Sequence, residues 1–319
     1  MKIVITDANA VNPGDLSWDF LNKYGQVVVY PRTPEELAIQ RLRDADIILI
    51  NKTPITAQLL DHCPSIKLIC VLATGYNVVD CEAAAARGIP VCNVPDYSTN
   101  AVAQFTFALL LELCNAVGHH STAVREGAWC RCPDFCFWDT PQVELAGKTL
   151  GIIGFGRIGR AVGRIAKAFG MEVLAYNRSR CPEGEAIGQY VELDTLLARS
   201  DIVSLHCPLT PQTESIINAD SLAKIKDGAI LLNTARGPLL DEAAVADALR
   251  SGKLRAAAAD VVTREPILET NPLLTAPNCL LTPHMAWAPI ESRRRILDCT
   301  TRSIEGFLAG KPVNTVNGL

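Results

Sequence analysis

Short, continuously apolar runs recur along the chain, separated by stretches in which apolar residues fall at helical spacing. In the first third these runs occupy residues 2–6, 26–30, 46–50, 67–72 and 90–93. Continuous apolarity, rather than alternation, marks strands covered on both faces. Between the second and third runs, Thr33, Pro34 and Glu36 predict a capping box, with threonine as cap and glutamate three residues on. Asp80 and Gly88 bracket another helix as N-cap and terminating glycine. Strand and helix signals in alternation predict an open parallel sheet with helices on both faces.

Residues 98–120 read as one long helix, rich in Ala, Val, Phe and Leu on nearly every face, which implies burial between domains or subunits. Residues 121–147 have poor periodicity, contain Trp129, Pro133, Trp138 and Pro141, and read as an arm or subunit contact. A second alternating series follows, with strands at 150–153, 172–176, 202–206, 229–233, 256–261 and 279–282. Six strands alternating with helices suit a complete dinucleotide-binding domain. A last helix, at 289–308, is expected to return to the first lobe. The α/β fold class is therefore two doubly wound, Rossmann-like parallel-sheet domains. Residues 1–98 plus 288–319 form a substrate-binding domain, and 99–287 a nucleotide-binding domain with a dimerisation arm at about 99–147.

The second series opens on a strand that enters a G-x-G-x-x-G turn at Gly154, Gly156 and Gly159. A helix follows, with apolar positions Ile158, Val162, Ile165, Ala166 and Phe169, and it ends at Gly170 before the next strand. The glycines permit a tight turn, backbone approach to a pyrophosphate, and close packing of helix on strand. Free N–H groups and the helix dipole at the helix start favour the diphosphate.

Composition narrows the function. At 319 residues and 49% hydrophobic content, the chain can bury two cores. A net charge of −4 argues against nucleic acid or an anionic membrane surface as partner. No apolar run approaches a membrane span, and the N-terminus enters a strand without a basic-then-apolar leader, so a cytoplasmic protein is expected. The 12 cysteines mostly lie singly in apolar stretches, as buried thiols do in a reducing compartment. One cluster, Cys130, Cys132 and Cys136 near His119 and His120, offers a zinc reading. Its C-x-C spacing departs from that of structural sites, and a cysteine-rich surface loop is preferred.

Chemistry concentrates where strands end. In the first lobe, Ala73, Thr74, Gly75 and Tyr76 follow an apolar strand, where consecutive N–H groups can hold a carboxylate; an ordinary strand-to-helix turn is the alternative. In the second, four strand ends carry polar residues: 206–210, 233–237, 260–266 and 282–287. Arg236 can grip a carboxylate bidentately and polarise the adjacent carbonyl. His284, as an imidazole, can deliver or remove a hydroxyl proton. Glu265 beside that imidazole would orient it and favour its protonated form. Together they suit hydride chemistry on a 2-keto acid.

These residues, in this order and spacing, give the chain a close resemblance over nearly its full length to the D-isomer-specific 2-hydroxyacid dehydrogenases. The resemblance rests on Gly154–Gly159, His206–Thr210, Asn233–Gly237, Asp260 with Glu265-Pro266, and Thr282-Pro283-His284. It implies that Arg236 binds the substrate carboxylate and carbonyl, that His284 is the acid/base, and that Glu265 is its partner. It also implies that Asp260 holds the nicotinamide carboxamide and that Arg157 and Ile158 lie over the pyrophosphate. It further implies that His206, Cys207, Pro208, Thr213, Thr234, Ala235 and His284 line the cofactor, that substrate lies beside Thr74, Gly75 and Tyr76, and that a homodimer forms through residues 98–147. Residues 73–77, 102–104 and 284–287 look most like the glycerate dehydrogenase/hydroxypyruvate reductase branch, and Trp287 beside His284 suits a small substrate. Phosphoglycerate dehydrogenase, many of whose members carry a C-terminal regulatory extension, is the less expected branch, as this sequence ends soon after its last helix. Closure of the lobes over cofactor and substrate is expected. The rival readings are a D-lactate-type or broad 2-keto acid reductase and a non-catalytic dinucleotide sensor.

The cofactor is the main departure from the family pattern. An NAD site usually ends its second strand with a carboxylate for the ribose hydroxyls. Here Asn177 takes that place, followed by Arg178, Ser179 and Arg180. These groups can hold a 2′-phosphate that a carboxylate would repel. NADP(H) is favoured; NAD(H), with both arginines as surface charges, is the alternative.

Overall fold

The computed structural model describes residues 1–319 and divides into two compact units, Met1–Ser98 with Ala288–Leu319, and Thr99–Trp287. The first unit contains β1 (Lys2–Ile5), α1 (Ala8–Val11), β2 (Gln26–Val29), α2 (Glu35–Leu42), β3 (Ile47–Ile50), α3 (Ala57–His62), β4 (Leu68–Val71), α4 (Cys81–Ala86), β5 (Val91–Cys92) and a C-terminal helix, Ile290–Leu308. Its strands pair in parallel in the order β2-β1-β3-β4-β5. Every residue of β3 and β4 is buried. Val4, Ile48, Ile50, Ile69 and Val71 pack against α2, α3 and α4, and the C-terminal helix packs on β4.

The capping box at Thr33 does not form. Helix α2 starts at Glu35 with Pro34 as an N-cap that makes no side-chain bond. The buried Thr33 hydroxyl instead donates to the Thr6 carbonyl at 2.8 Å and accepts from Arg41. A carbonyl at the end of β1 needs a donor more than a solvated helix end does. Asp80 does cap α4, accepting from the Ala83 N–H at 2.9 Å, and Gly88 ends it with φ 66°.

Where the strand order reverses, between β1 and β3, an open α/β sheet commonly binds an anion. Here Asp7 supplies one internally. Its buried carboxylate accepts from the backbone N–H groups of Asn51, Lys52 and Thr53 at 2.9–3.0 Å and from the Thr53 hydroxyl. Burial pushes this carboxyl up, but those donors outweigh it and its pKa is lowered below the ordinary value. The stability it contributes is therefore fully present above the unfolded pKa and is lost as pH falls through the lower folded one. Asp7→Asn should destabilise the first unit by about 3 kcal/mol at neutral pH, since buried donors lose a charged acceptor. Thermal melts of the variant and wild type should converge as pH drops below about 4.

The second unit begins with α5 (Thr99–Asn115) and α6 (Val117–Arg125). It continues with β6 (Thr149–Ile153), α7 (Arg157–Ala168), β7 (Glu172–Tyr176), α8 (Pro182–Glu185), β8 (Gln189–Tyr190), α9 (Leu193–Arg199) and β9 (Ile202–Leu205). It ends with α10 (Ala219–Lys224), β10 (Ala229–Asn233), α11 (Glu242–Arg250), β11 (Leu254–Ala259) and β12 (Cys279–Leu281). The sheet has seven strands, one more than expected, in the order β12-β11-β10-β9-β6-β7-β8. The extra strand, β8, is a two-residue edge pair too short to register as a periodic run. One face, with Ile153, Val203, Leu205 and Leu231, packs on α9, α10 and α11. The other, with Ile152, Ile202, Ile230 and Leu232, packs on α5 and α7.

The single helix expected over 98–120 is two helices, bent by 56°. Ala116 has left-handed backbone, φ 47°, and the Glu112 carboxylate accepts from the Gly118 N–H. All-round burial does not hold: α5 leaves an exposed stripe at Asn100, Gln104 and Ala108, and no residue of α6 is buried. No single helix is long and apolar enough to cross a membrane. Beyond α6, Trp129, Phe135 and Trp138 are exposed. His119 and His120 both face Asp139, at 2.8 and 3.2 Å, and no group of His, Cys, Asp or Glu is placed to hold a metal ion.

Candidate active site

All seven strands of the second unit run parallel, so the loops that follow them emerge on one edge. Five adjacent strands, β6, β9, β10, β11 and β12, place the glycine turn, His206, Arg236, Glu265 and His284 side by side. The order reverses between β6 and β9, and a dinucleotide fits at that point.

The glycine turn is built by contact. Gly154 has φ 94°, and a Cβ there would lie 2.2 Å from the Cys207 nitrogen. A Cβ on Gly159 would meet the Gly154 carbonyl at 2.2 Å. Above Gly156, the N-cap of α7, a Cβ would meet nothing within 4 Å. Two glycines are thus required by packing, and the third leaves room where the helix dipole favours an anion. Arg157 and Ile158 open that helix.

His206 bonds the Ser204 hydroxyl through Nε2 at 2.8 Å. Its Nδ1 is buried without a protein partner, and burial pushes the imidazole down to about 3. A neutral ring with one unsatisfied nitrogen suits a polar ligand group at this strand end. Thr213 closes the neighbouring turn, accepting from the Thr210 N–H and donating to the Pro208 carbonyl at 2.7 Å. After β7, the Asn177 amide accepts from the Phe155 N–H at 3.1 Å and donates to the Ser179 carbonyl at 2.7 Å. Arg178, Ser179 and Arg180 are exposed, with the Arg180 guanidinium 5.7 Å from the centre of the Tyr190 ring.

Arg236 sits in a turn held by a residue that sequence reasoning left out of the site. The buried Asn233 side chain donates to the Arg236 carbonyl at 2.8 Å and accepts from the Ala235 N–H at 3.0 Å. Asn as a self-bonding turn residue was the available signal. Thr234 meets the Thr106 hydroxyl of α5 at 3.0 Å, a contact no local pattern announces. The guanidinium is exposed and donates to the Ala235 carbonyl, which leaves further donors for a ligand. Next to it, a Cβ on Gly237 would lie 2.0 Å from the Val262 backbone, so the loops after β10 and β11 abut.

Glu265 Oε2 lies 2.7 Å from His284 Nδ1, with both side chains 34% exposed. Because a carboxylate only accepts, Nδ1 carries the proton of this bond and Nε2 is the end available for chemistry. Asp260, buried to 1% exposure, accepts from the Thr282 hydroxyl at 2.6 Å and from the Met285 and Ala286 N–H groups at 2.9 and 2.8 Å. It therefore shapes the loop that carries His284. Trp287 donates its indole N–H to the His284 carbonyl at 2.9 Å.

In the first unit, Ala73, Thr74, Gly75 and Tyr76 form an irregular loop after β4. The Thr74 hydroxyl donates to the Val94 carbonyl, and Asn93 donates to the Thr74 carbonyl, each at 2.8 Å. The N–H groups of Thr74, Gly75 and Tyr76 are not taken up by backbone carbonyls.

The sequence model of the NAD binding domain of D-isomer specific 2-hydroxyacid dehydrogenases matches residues 107–286. The chain is 54% identical to a hydroxypyruvate reductase of Blautia hydrogenotrophica, over 99% of this chain and 100% of that one. It is 41% identical to a glycerate dehydrogenase of Methylorubrum extorquens, over 99% and 98% of the two chains. A solved acyclic imino acid reductase in complex with NADPH and D-Arg superposes with a TM-score of 0.83 at 34% identity, over 99% of this chain and 100% of that one. With an arginine, a glutamate and a histidine after adjacent strands of a dinucleotide-binding sheet, the chain belongs to the D-isomer-specific 2-hydroxyacid dehydrogenases.

Proposed function

We propose that this enzyme reduces hydroxypyruvate, and with it glyoxylate, to D-glycerate and glycolate, with NADPH preferred over NADH. The observation that carries the reading is the 2.7 Å bond between Glu265 and His284 Nδ1, on loops beside the Arg236 turn. When bound, the nicotinamide supplies a hydride to the carbonyl carbon. Arg236 pairs with the substrate carboxylate and draws charge from the adjacent carbonyl oxygen. His284 Nε2 gives its proton to that oxygen, so the ketone becomes a hydroxyl. Glu265 stabilises the imidazolium before transfer, and solvent returns the proton afterwards. In the first unit, the N–H groups at 74–76 are not taken up by backbone carbonyls and are suited to an anion. Comparing turnover on hydroxypyruvate, glyoxylate and pyruvate tests the substrate. Pyruvate as the fastest would favour the D-lactate-type alternative.

For the cofactor, Gly156 and the start of α7 fit the diphosphate, and neutral Asn177 with Arg178, Ser179 and Arg180 fits a 2′-phosphate. In this reading Asp260 would serve the nicotinamide carboxamide, and His206, Cys207, Pro208, Thr213, Thr234 and Ala235 would line the cofactor. Steady-state oxidation of NADPH and NADH with hydroxypyruvate should favour NADPH. Arg178→Ala should lower kcat/KM for NADPH by about tenfold and leave NADH unchanged. An unchanged kcat/KM for NADPH would return Arg178 to the surface.

The exposed Trp129, Phe135 and Trp138, with the apolar groove lined by Ala103, Phe107, Leu111 and Ile165, support a homodimer formed through this region. Light scattering at micromolar concentration would test it.

A further inference from the structure

His284 is one of few non-glycine residues with left-handed backbone, φ 53°. Side chains tolerate that region poorly, and such a residue persists where its surroundings over-determine it. Here the constraints come from both sides. The His284 N–H donates to the Asp260 and Thr282 carbonyls at 2.8 and 3.0 Å, and Asp260 takes the next two N–H groups through its carboxylate. That leaves the His284 carbonyl, and the half-buried Trp287 indole N–H closes on it at 2.9 Å. A β-turn makes its i to i+3 closure with a backbone N–H. This loop makes it with a side chain.

We propose that Trp287 is a positioning residue: its indole N–H holds the His284 carbonyl so that the imidazole keeps Nδ1 on Glu265 and Nε2 toward the reacting oxygen. The proposal rests on the acid/base reading of His284 and extends Trp287 beyond the role of a wall beside a small substrate. A residue acting through His284 affects proton delivery, which is felt in kcat. A pocket wall affects substrate fit, which is felt in KM and in the range of substrates accepted.

The test replaces Trp287 with β-(3-benzothienyl)alanine, which keeps the shape and removes the N–H, alongside Trp287→Phe. With hydroxypyruvate and NADPH, both variants should lose about tenfold in kcat with KM for hydroxypyruvate close to wild type, the effect of one lost hydrogen bond on geometry at the reacting centre. The solvent isotope effect on kcat should also rise as proton transfer becomes slower. Wild-type kcat in the benzothienyl variant, with a raised KM and new activity on bulkier 2-keto acids in Trp287→Phe, would overturn the proposal and leave Trp287 as a wall. His284→Ala separates the two levels. If it keeps wild-type turnover, the acid/base reading itself fails; if it is inactive while the benzothienyl variant is fully active, only the positioning role fails.

Discussion

His284→Ala lowers turnover on hydroxypyruvate by roughly 10²–10⁴-fold while NADPH still binds, the loss typical of a positioned general acid. The glycine turn, Asn177 and the arginines that follow it belong to other strands, so removing the imidazole leaves them intact. Fluorescence titration of NADPH gives the binding arm, and stopped-flow oxidation of NADPH the chemical one. His284→Gln sharpens the result, since it can hold a hydrogen bond to Glu265 yet cannot deliver a proton at neutral pH. Turnover close to wild type in either variant would remove His284 from the chemistry. Glu265→Gln should fall between these and wild type, because the histidine remains but its imidazolium loses a charged partner.

The second large effect is expected at Arg236. Arg236→Lys keeps a positive charge but replaces a planar fork by a point charge. If the guanidinium grips the carboxylate with two parallel hydrogen bonds and also polarises the carbonyl, kcat/KM falls by about 10²-fold in the conservative variant. The loss should appear in KM, through the carboxylate, and in kcat, through the carbonyl. The turn itself should survive, because Asn233 holds it through the Arg236 carbonyl and the Ala235 N–H, not through the guanidinium. A lysine variant with unchanged kinetics would mean that charge alone suffices and that bidentate recognition is absent.

Much of this is legible in the sequence. The family is identified from spaced motifs, and Arg236, Glu265 and His284 are singled out as candidates from side-chain chemistry at strand ends. The features that failed to announce themselves failed for physical reasons. β8 is two residues long and lies on a sheet edge, where no periodic run is needed. The bend at Ala116 is carried by an alanine, a strong helix former whose left-handed backbone follows from its surroundings and not from its own preference. The absent capping box at Thr33 has a similar cause: a hydroxyl that can cap a helix was taken by the Thr6 carbonyl, which is distant in sequence and close in space.

By itself, the sequence determined which chemistry is present. Continuous apolar runs such as β3 and β4 are buried throughout, though the edge strand β2 is only partly covered. Gly154 and Gly159 stand where a Cβ would collide, and an arginine, a glutamate and a histidine follow separate strands. The tertiary structure decided how those groups are held. The order β6-β9-β10-β11-β12 sets their loops on one edge. Asn233 closes the Arg236 turn, Asp260 gathers residues 282–286 around His284, and Trp287 closes on the His284 carbonyl. These are hydrogen bonds whose partners are chosen by proximity in the folded chain. Spacing along the sequence carries the identity of such groups, and only the fold assigns each its partner.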